Sequence, residues 1–562
     1  MKQAPLLSAL LAPGLLFLAS CKNRSAGGNL PIPKDAAIAV HIDNSSLASK
    51  LNWNEIKATT WFKELSTNED DSLAKKLLDN PEAAGMNVKE DMAFFVQKRG
   101  KATVGVFEGT VKDAAAFEQF NTSLLQKKGS AAQVEKEGNI STLKMDENVI
   151  VSWDANRFTY AFASDMMSRL NQAYEFDEEQ PKKTVFGTDS LKAYIKYLYN
   201  LGGDALLTSD DRYEDLLKEK GDVHFWMNSE EYYNMISEGA MSLMSMMKFT
   251  ALIENSVSAS TLSFDDGQIT VKSKQYVSED MEKLIKKHNA KNVSASLINR
   301  IPSQNVLGVM AVNYPSEGVR DLFKMIGVDG LVNTFLGRAG LSMDDFINAY
   351  NGDMLVAISD LTIKEEKKTF EGTSYTYTST KPDVKLLFAL SVKDRNSFEK
   401  LWNTATEDFR NDGDFAKNVK YKLGNDWFAA GNDAAYVDRF IAGGNNNIPF
   451  ASKISGHPFG MYVDIQKIMR SALPSGKEKP AGFDESMKMW QDVVITGGDY
   501  KNGYITSEMV VNLVDRNTNA LKQLNTYFDK VAAANKSKAA SEEWMAPDTS
   551  VIAPPPVEAL DN

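Results

Sequence analysis

From residue 32 to about 530, short apolar runs alternate with longer amphipathic stretches. Ala36–Ile42, Thr103–Phe107, Val306–Val312 and Val384–Leu390 are apolar runs of strand length. Leu47–Leu65 is amphipathic and predicts helix, and Phe117, Phe120 and Leu124 fall on one helical face, as do Phe398, Leu401 and Ala405. Ser260–Tyr276 alternates about the turn signal Asp265-Asp266-Gly267, the pattern of an antiparallel hairpin. Strands and helices mixed in this order predict an α+β fold, with largely antiparallel sheet and helices packed on it.

Self-comparison adds an expectation about organisation. Val111-Lys112-Asp113 followed by Phe117-Glu118 returns as Val392-Lys393-Asp394 followed by Phe398-Glu399, 281 residues later. Ile32-Pro33 and Ile301-Pro302 each precede a strand, and so do Asp91-Met92 and Asp353-Met354. Gly267-x-Ile269-Thr270 matches Gly503-x-Ile505-Thr506 at a shift of 236, the same shift that relates Asn228 to Asp464. Words kept in order predict two homologous halves, 32–290 and 301–530, with Leu361–Lys381 inserted in the second. Asp113 and Asp394 are each placed to cap a helix. The halves are expected either to pack side by side or to share one sheet about a pseudo-twofold axis.

Length and charge narrow the class. The chain has 562 residues and a formal net charge of -12. It is too long for one core, and with no dense Lys/Arg run it is a poor partner for nucleic acid. The one cysteine is Cys21. It follows Lys2, an apolar Leu6–Leu18 and the tetrapeptide Leu18-Ala19-Ser20-Cys21. That resembles a bacterial lipobox and predicts a signal peptide over 1–20, cleavage between Ser20 and Cys21, and lipidation of the Cys21 thiol. Residues 21–31 read as a polar tether. Lys22 and Arg24 there favour an outer-membrane anchor facing the periplasm. Residues 531–562, with Pro554-Pro555-Pro556, read as a disordered Pro-rich tail.

The lipobox, the opening Ile32-Pro33-Lys34-Asp35-Ala36-Ala37 with Val40-His41-Ile42-Asp43, and the paired strand–helix words resemble an uncharacterised Bacteroidetes lipoprotein family, defined by a domain of unknown function. The resemblance implies a compartment and an architecture and supplies no active-site residues.

Candidate chemistry is sparse. His41, His224, His288 and His457 lack metal spacing, and no P-loop, G-x-G-x-x-G or G-x-S-x-G occurs. Ser72-x-x-Lys75 and Ser245-x-x-Lys248 lack the companion words of penicillin-binding enzymes. Glu69-Asp70-Asp71, Asp177-Glu178-Glu179, Asp210-Asp211 and Asn411-Asp412-Gly413-Asp414 read as solvated loops rather than cation sites. No catalytic residue, metal or cofactor is expected. Met235, Met241, Met244, Met246 and Met247 enrich one segment, as core or as an adaptable apolar surface. Thr373-Ser374-Tyr375-Thr376-Tyr377-Thr378 predicts a protruding hairpin whose Tyr375 and Tyr377 are candidate contacts for a protein or glycan partner. The leading expectation is a non-enzymatic envelope lipoprotein, held to the membrane by its N-terminal lipid, with a binding or assembly role. The alternatives are an envelope hydrolase of glycan or peptidoglycan using carboxylates, and a carrier of apolar ligands.

Overall fold

In a computed structural model the described residues are 30–67, 80–100, 102–127, 129–164, 186–236, 248, 250–369, 376–407, 418–444, 446–473 and 479–545. Eighteen described strands follow the apolar runs: β1 Ile38–Ile42, β2 Met92–Arg99, β3 Ala102–Thr110, β4 Val134–Glu137, β5 Ile140–Asp146, β6 Val149–Trp153, β7 Arg157–Ser164, β8 Val223–Asn228, β9 Val257–Asp265 and β10 Gln268–Tyr276 in the N-terminal part. The others are β11 Val306–Asn313, β12 Tyr350–Thr369, β13 Thr376–Val392, β14 Lys420–Leu423, β15 Trp427–Gly431, β16 Phe459–Asp464, β17 Trp490–Lys501 and β18 Tyr504–Leu513.

All eighteen join one sheet, and every pairing between them is antiparallel. Followed strand to strand, the N-terminal part runs β4-β5-β6-β7-β3-β2-β1-β8-β9-β10. Crossing from β10 to β18, the order continues β18-β17-β16-β11-β12-β13-β15-β14. Of the two expected packings, the sheet is the continuous one. At the seam Lys272 lies opposite Glu508, Tyr276 opposite Tyr504 and Gln268 opposite Asn512.

Local chemistry explains the joints. The Asp113 carboxylate accepts from the N–H groups of Ala115 and Ala116 at 2.9 and 3.0 Å, starting the helix Ala114–Lys127, and Asp394 accepts from Ser397 at 2.8 Å. Each satisfies first-turn donors that would otherwise lack a partner. Gly267 turns β9 into β10 at φ +66°, and a Cβ there would meet the Arg516 backbone at 2.4 Å, so both conformation and space require glycine.

The helices around this sheet include α1 Asn44–Lys50, α2 Trp53–Lys57, α3 Thr60–Thr67, α4 Ala114–Lys127, α5 Thr188–Tyr199, α6 Asp211–Lys218, α7 Ser316–Met325, α8 Asp329–Arg338, α9 Arg395–Ala405, α10 Ala434–Ala442, α11 Phe483–Met489 and α12 Ala520–Met545. One sheet face is covered twice. On the N-terminal part, Leu191, Ile195 and Leu198 of α5 and Tyr213 of α6 pack over Phe95, Val104, Val106 and Trp226. On the C-terminal part, Tyr436, Val437 and Phe440 of α10 pack over Leu355, Ala357, Leu387 and Ala389. Alanines recur at these strand positions (Ala39, Ala93, Ala161; Ala311, Ala357, Ala389), all essentially fully buried, because a small side chain lets a helix lie close to the sheet.

One expectation is corrected. The chain is not irregular from 531, because α12 continues as helix to Met545; Ala532-Ala533-Ala534 and the lysines after them are good helix formers. Pro554-Pro555-Pro556 lies outside the described residues.

Candidate functional site: the second face of the sheet

Side chains alternate across a strand, so the residues between those of the covered core point to the opposite face. On that face Phe388, Val356, Met310, Met461 and Ile495 are successive cross-strand neighbours. The row crosses the seam through Met509 and Val271 and continues to Leu262, Val223 and Ile42. Ten strands at about 4.8 Å spacing make this apolar row roughly 40 Å long. One step along, Ile358 and Leu386 pair with each other and are 41% and 44% exposed; Phe388 is 36% exposed. The row from Val356 to Val223 is half-buried, and none of its residues belongs to a core cluster among the described residues.

The rim of this face is built. On one flank α4 sets Phe117 against Trp153, Phe158 and Tyr160. On the other, Phe398 and Trp402 of α9 pack on Phe428. At one end Leu47, Trp53, Ile56 and Phe62 from α1 to α3 cover Ile42 and Phe264, and α12 with Met489 of α11 covers Ile269. Helices therefore frame an apolar floor that they do not fill among the described residues. A continuous apolar row differs from the singly scattered apolar residues normal on a protein surface.

Among the described residues the polar candidates stay apart from one another. A groove of about 650 Å³ lies between α2, the turn that follows it, α11 and α12. Two of its carboxylates are paired with lysines: Glu55 with Lys522 at 2.8 Å, and Glu485 with Lys488 at 3.0 Å and Lys530 at 3.4 Å. Those lysine contacts hold both carboxyls below the usual range, so each is a poor proton donor at neutral pH. Glu108 is the opposite case. It is fully buried beneath α5 and α6, and neither carboxyl oxygen has a hydrogen-bond partner among the described residues. Burial pushes its carboxyl up to about 8, against the pull of Arg157. It is sealed in a core.

His41 and His224 face each other across β1 and β8, ring centroids 5.7 Å apart. His41 Nε2 lies 3.1 Å from Asp91, and His224 Nε2 lies 3.0 Å from the Glu219 carbonyl. Burial pushes His224 down. His288 and His457 pair with Asp321 and Asp499. No group of three metal-ligating side chains suited to an ion occurs among the described residues. Asp210 caps α6 and pairs with Arg212. Ser20, Cys21, Ser72, Lys75, Ser245, the other acidic runs, Tyr375 and the methionines at 241–247 lie outside the described residues. Met235 is buried, and Tyr377 stands 39% exposed on the ribbon that β12 and β13 extend beyond the sheet.

Reasoning from the sequence missed the second face as a site, although it carries a signal. The β11, β12 and β13 strands are apolar at both parities, as in Val309-Met310-Ala311-Val312, Leu355-Val356-Ala357-Ile358 and Leu386-Leu387-Phe388-Ala389. Such runs belong to strands sheltered on both sides.

These features define an α+β protein built on one large antiparallel sheet with packed helices, carrying a helix-framed apolar floor. By sequence, the chain belongs to the family of the domain of unknown function DUF4836, which matches residues 29–406 and so runs from just before β1 to the end of α9. No curated protein matches. Among solved structures, crystal forms III, I and IV of TP0453 align at 12%, 14% and 13% identity. They cover 46%, 46% and 47% of this chain and 88%, 87% and 87% of that one, with TM-scores of 0.24, 0.24 and 0.25.

Proposed function

We propose that this is a non-catalytic envelope lipoprotein that carries an apolar, acyl-type ligand on the second face of its sheet. The observation behind this reading is the continuous Val356–Met310–Met461–Ile495–Met509–Val271 row, half-buried, framed by helices and continued by exposed Phe388. Flexible methionines and branched side chains suit alkyl chains of variable shape. Matched ion pairs in the polar groove, and a shifted Glu108 sealed away from solvent, favour carriage over hydrolysis.

The lipobox ending in Cys21 supports a lipid anchor, and with Lys22 and Arg24 an outer-membrane site facing the periplasm; a Bacteroidetes origin rests on the sequence resemblance. The mirrored strand order supports a duplication. At the seam Lys272 meets Glu508, its own counterpart at the 236-residue shift found in the sequence, as a pseudo-twofold axis through that pair requires. The extended ribbon bearing Tyr377 supports a secondary contact with a protein or glycan partner, to which Tyr375 also contributes.

The test is native mass spectrometry of the full chain purified from membranes. Co-purified species of fatty-acyl mass are expected on the parent protein and absent from a Met461→Asp, Ile495→Asp variant. A parent protein that carries no acyl species, and acquires none when fatty acid is added, overturns the reading. Labelled palmitate on the parent and not on Cys21→Ala tests the anchor separately.

A further inference from the structure

Helix α8 is the least covered apolar helix described. It packs against α7, yet none of its residues is buried. Leu331 and Phe335 are 74% and 73% exposed. With exposed Thr334 and Arg338 they form one side of the helix, since residues three and four apart share a face. Val332 and Leu336, on the other side, are half-buried. At the opposite end of the sheet α1 to α3 bury Leu47, Trp53, Ile56 and Phe62, and α12 packs along α3. Nothing comparable lies over α8 among the described residues.

Three cations that lack a described ion-pair partner stand around α8. Lys324 precedes it, Arg338 ends it, and Lys248 is fixed beside it because its backbone N–H donates to the Ile326 carbonyl at 2.9 Å. All three are exposed, and none forms an ion pair with a described residue. The helix contains one acid, Asp329, in a protein whose formal net charge is -12.

We propose that α8 is a membrane-docking element that seats Leu331 and Phe335 at the acyl–headgroup boundary of an anionic bilayer, with Lys248, Lys324 and Arg338 against the headgroups. An apolar stripe flanked by cations is the arrangement by which a short helix lies in a bilayer interface. Each cation near an anionic surface adds to binding that salt screens. A soluble acidic partner would match the cations and leave the two apolar side chains in water, whereas a lipid surface satisfies both. The site is separate from the apolar floor and stands whatever that floor carries.

The test uses the full chain with Cys21→Ala, which leaves no other thiol, and Thr334→Cys carrying an NBD fluorophore. With vesicles of phosphatidylcholine and one third phosphatidylglycerol, NBD emission should shift to the blue, brighten and be quenched by shallow spin-labelled lipid. Leu331→Ser with Phe335→Ser should weaken that response by about tenfold or more, and Arg338→Glu or high salt should weaken it less. Thermal melting of the double-serine protein should match its parent, because neither side chain is buried. An unchanged spectrum with vesicles overturns the proposal. So does a blue shift without vesicles that grows with protein concentration, which would assign the face to a second copy of the chain.

Discussion

Leu355 and Val356 are adjacent in β12 and similar in chemistry, but they point to opposite faces. Leu355 is fully buried in the core that α10 covers. Val356 lies between Met310 and Phe388 in the row that no described cluster absorbs. The contrast repeats along the sheet. One face is closed by helices, with alanines beneath them. The other carries larger apolar side chains framed at its edges. Closing the first face stabilises the fold; on the proposed reading, the second keeps apolar area for an acyl ligand.

The largest test of that contrast is a matched pair of substitutions. Leu355→Ala should cost about 2–5 kcal/mol, since it removes packed methyl groups and leaves a cavity. Val356→Thr, similar in shape, should cost about 1 kcal/mol or less if its face stays partly hydrated. Urea unfolding midpoints measure both, and equal losses would erase the distinction between the faces.

A second test asks how dry the closed face is. Glu108 is raised from 4.5 to about 8 in the folded state, so between those values the native protein binds a proton that the unfolded chain has lost. Stability should therefore fall as pH rises from 4.5 to 8, by an amount on the order of a few kcal/mol. His224 acts with the opposite sign: its depressed value means stability is lost as pH falls below its unfolded value near 6.5. Glu108→Gln should flatten the loss above pH 6.5. A variant that keeps the full alkaline slope would place Glu108 in contact with water.

The smallest effect belongs to the seam. Lys272 and Glu508 lie 3.7 Å apart and well exposed, so Glu508→Lys should cost about 1 kcal/mol or less and Lys272→Glu in the same chain should restore most of it. A much larger loss would mean that the exposed pair, rather than the backbone ladder on either side of it, holds the two sheet halves together.

The helix caps at Asp113 and Asp394, the Gly267 turn and the strands around Val306 and Val384 were legible in the sequence because each depends on local chemistry. The joining of β10 to β18 was not. Gln268–Tyr276 pairs with residues far along the chain, Tyr504 to Asn512, and nothing local in either strand specifies its partner. His41 lies in a run that reads as a strand, but its position facing His224 across β1 and β8 depends on register. The apolar floor escaped notice for a related reason. A run such as Val309-Met310-Ala311-Val312 says that both faces avoid bulk water, and only the tertiary structure tells which one a helix has filled.

The most direct measurement is titration of the full chain with a fluorescent fatty acid, beside the Met461→Asp, Ile495→Asp variant. If the second face is a binding floor, the parent should saturate at a defined stoichiometry, unlabelled fatty acid should compete, and the variant should melt near the parent while losing the saturable signal. Saturable binding of equal affinity in both proteins would contradict the account, as would a parent that never binds.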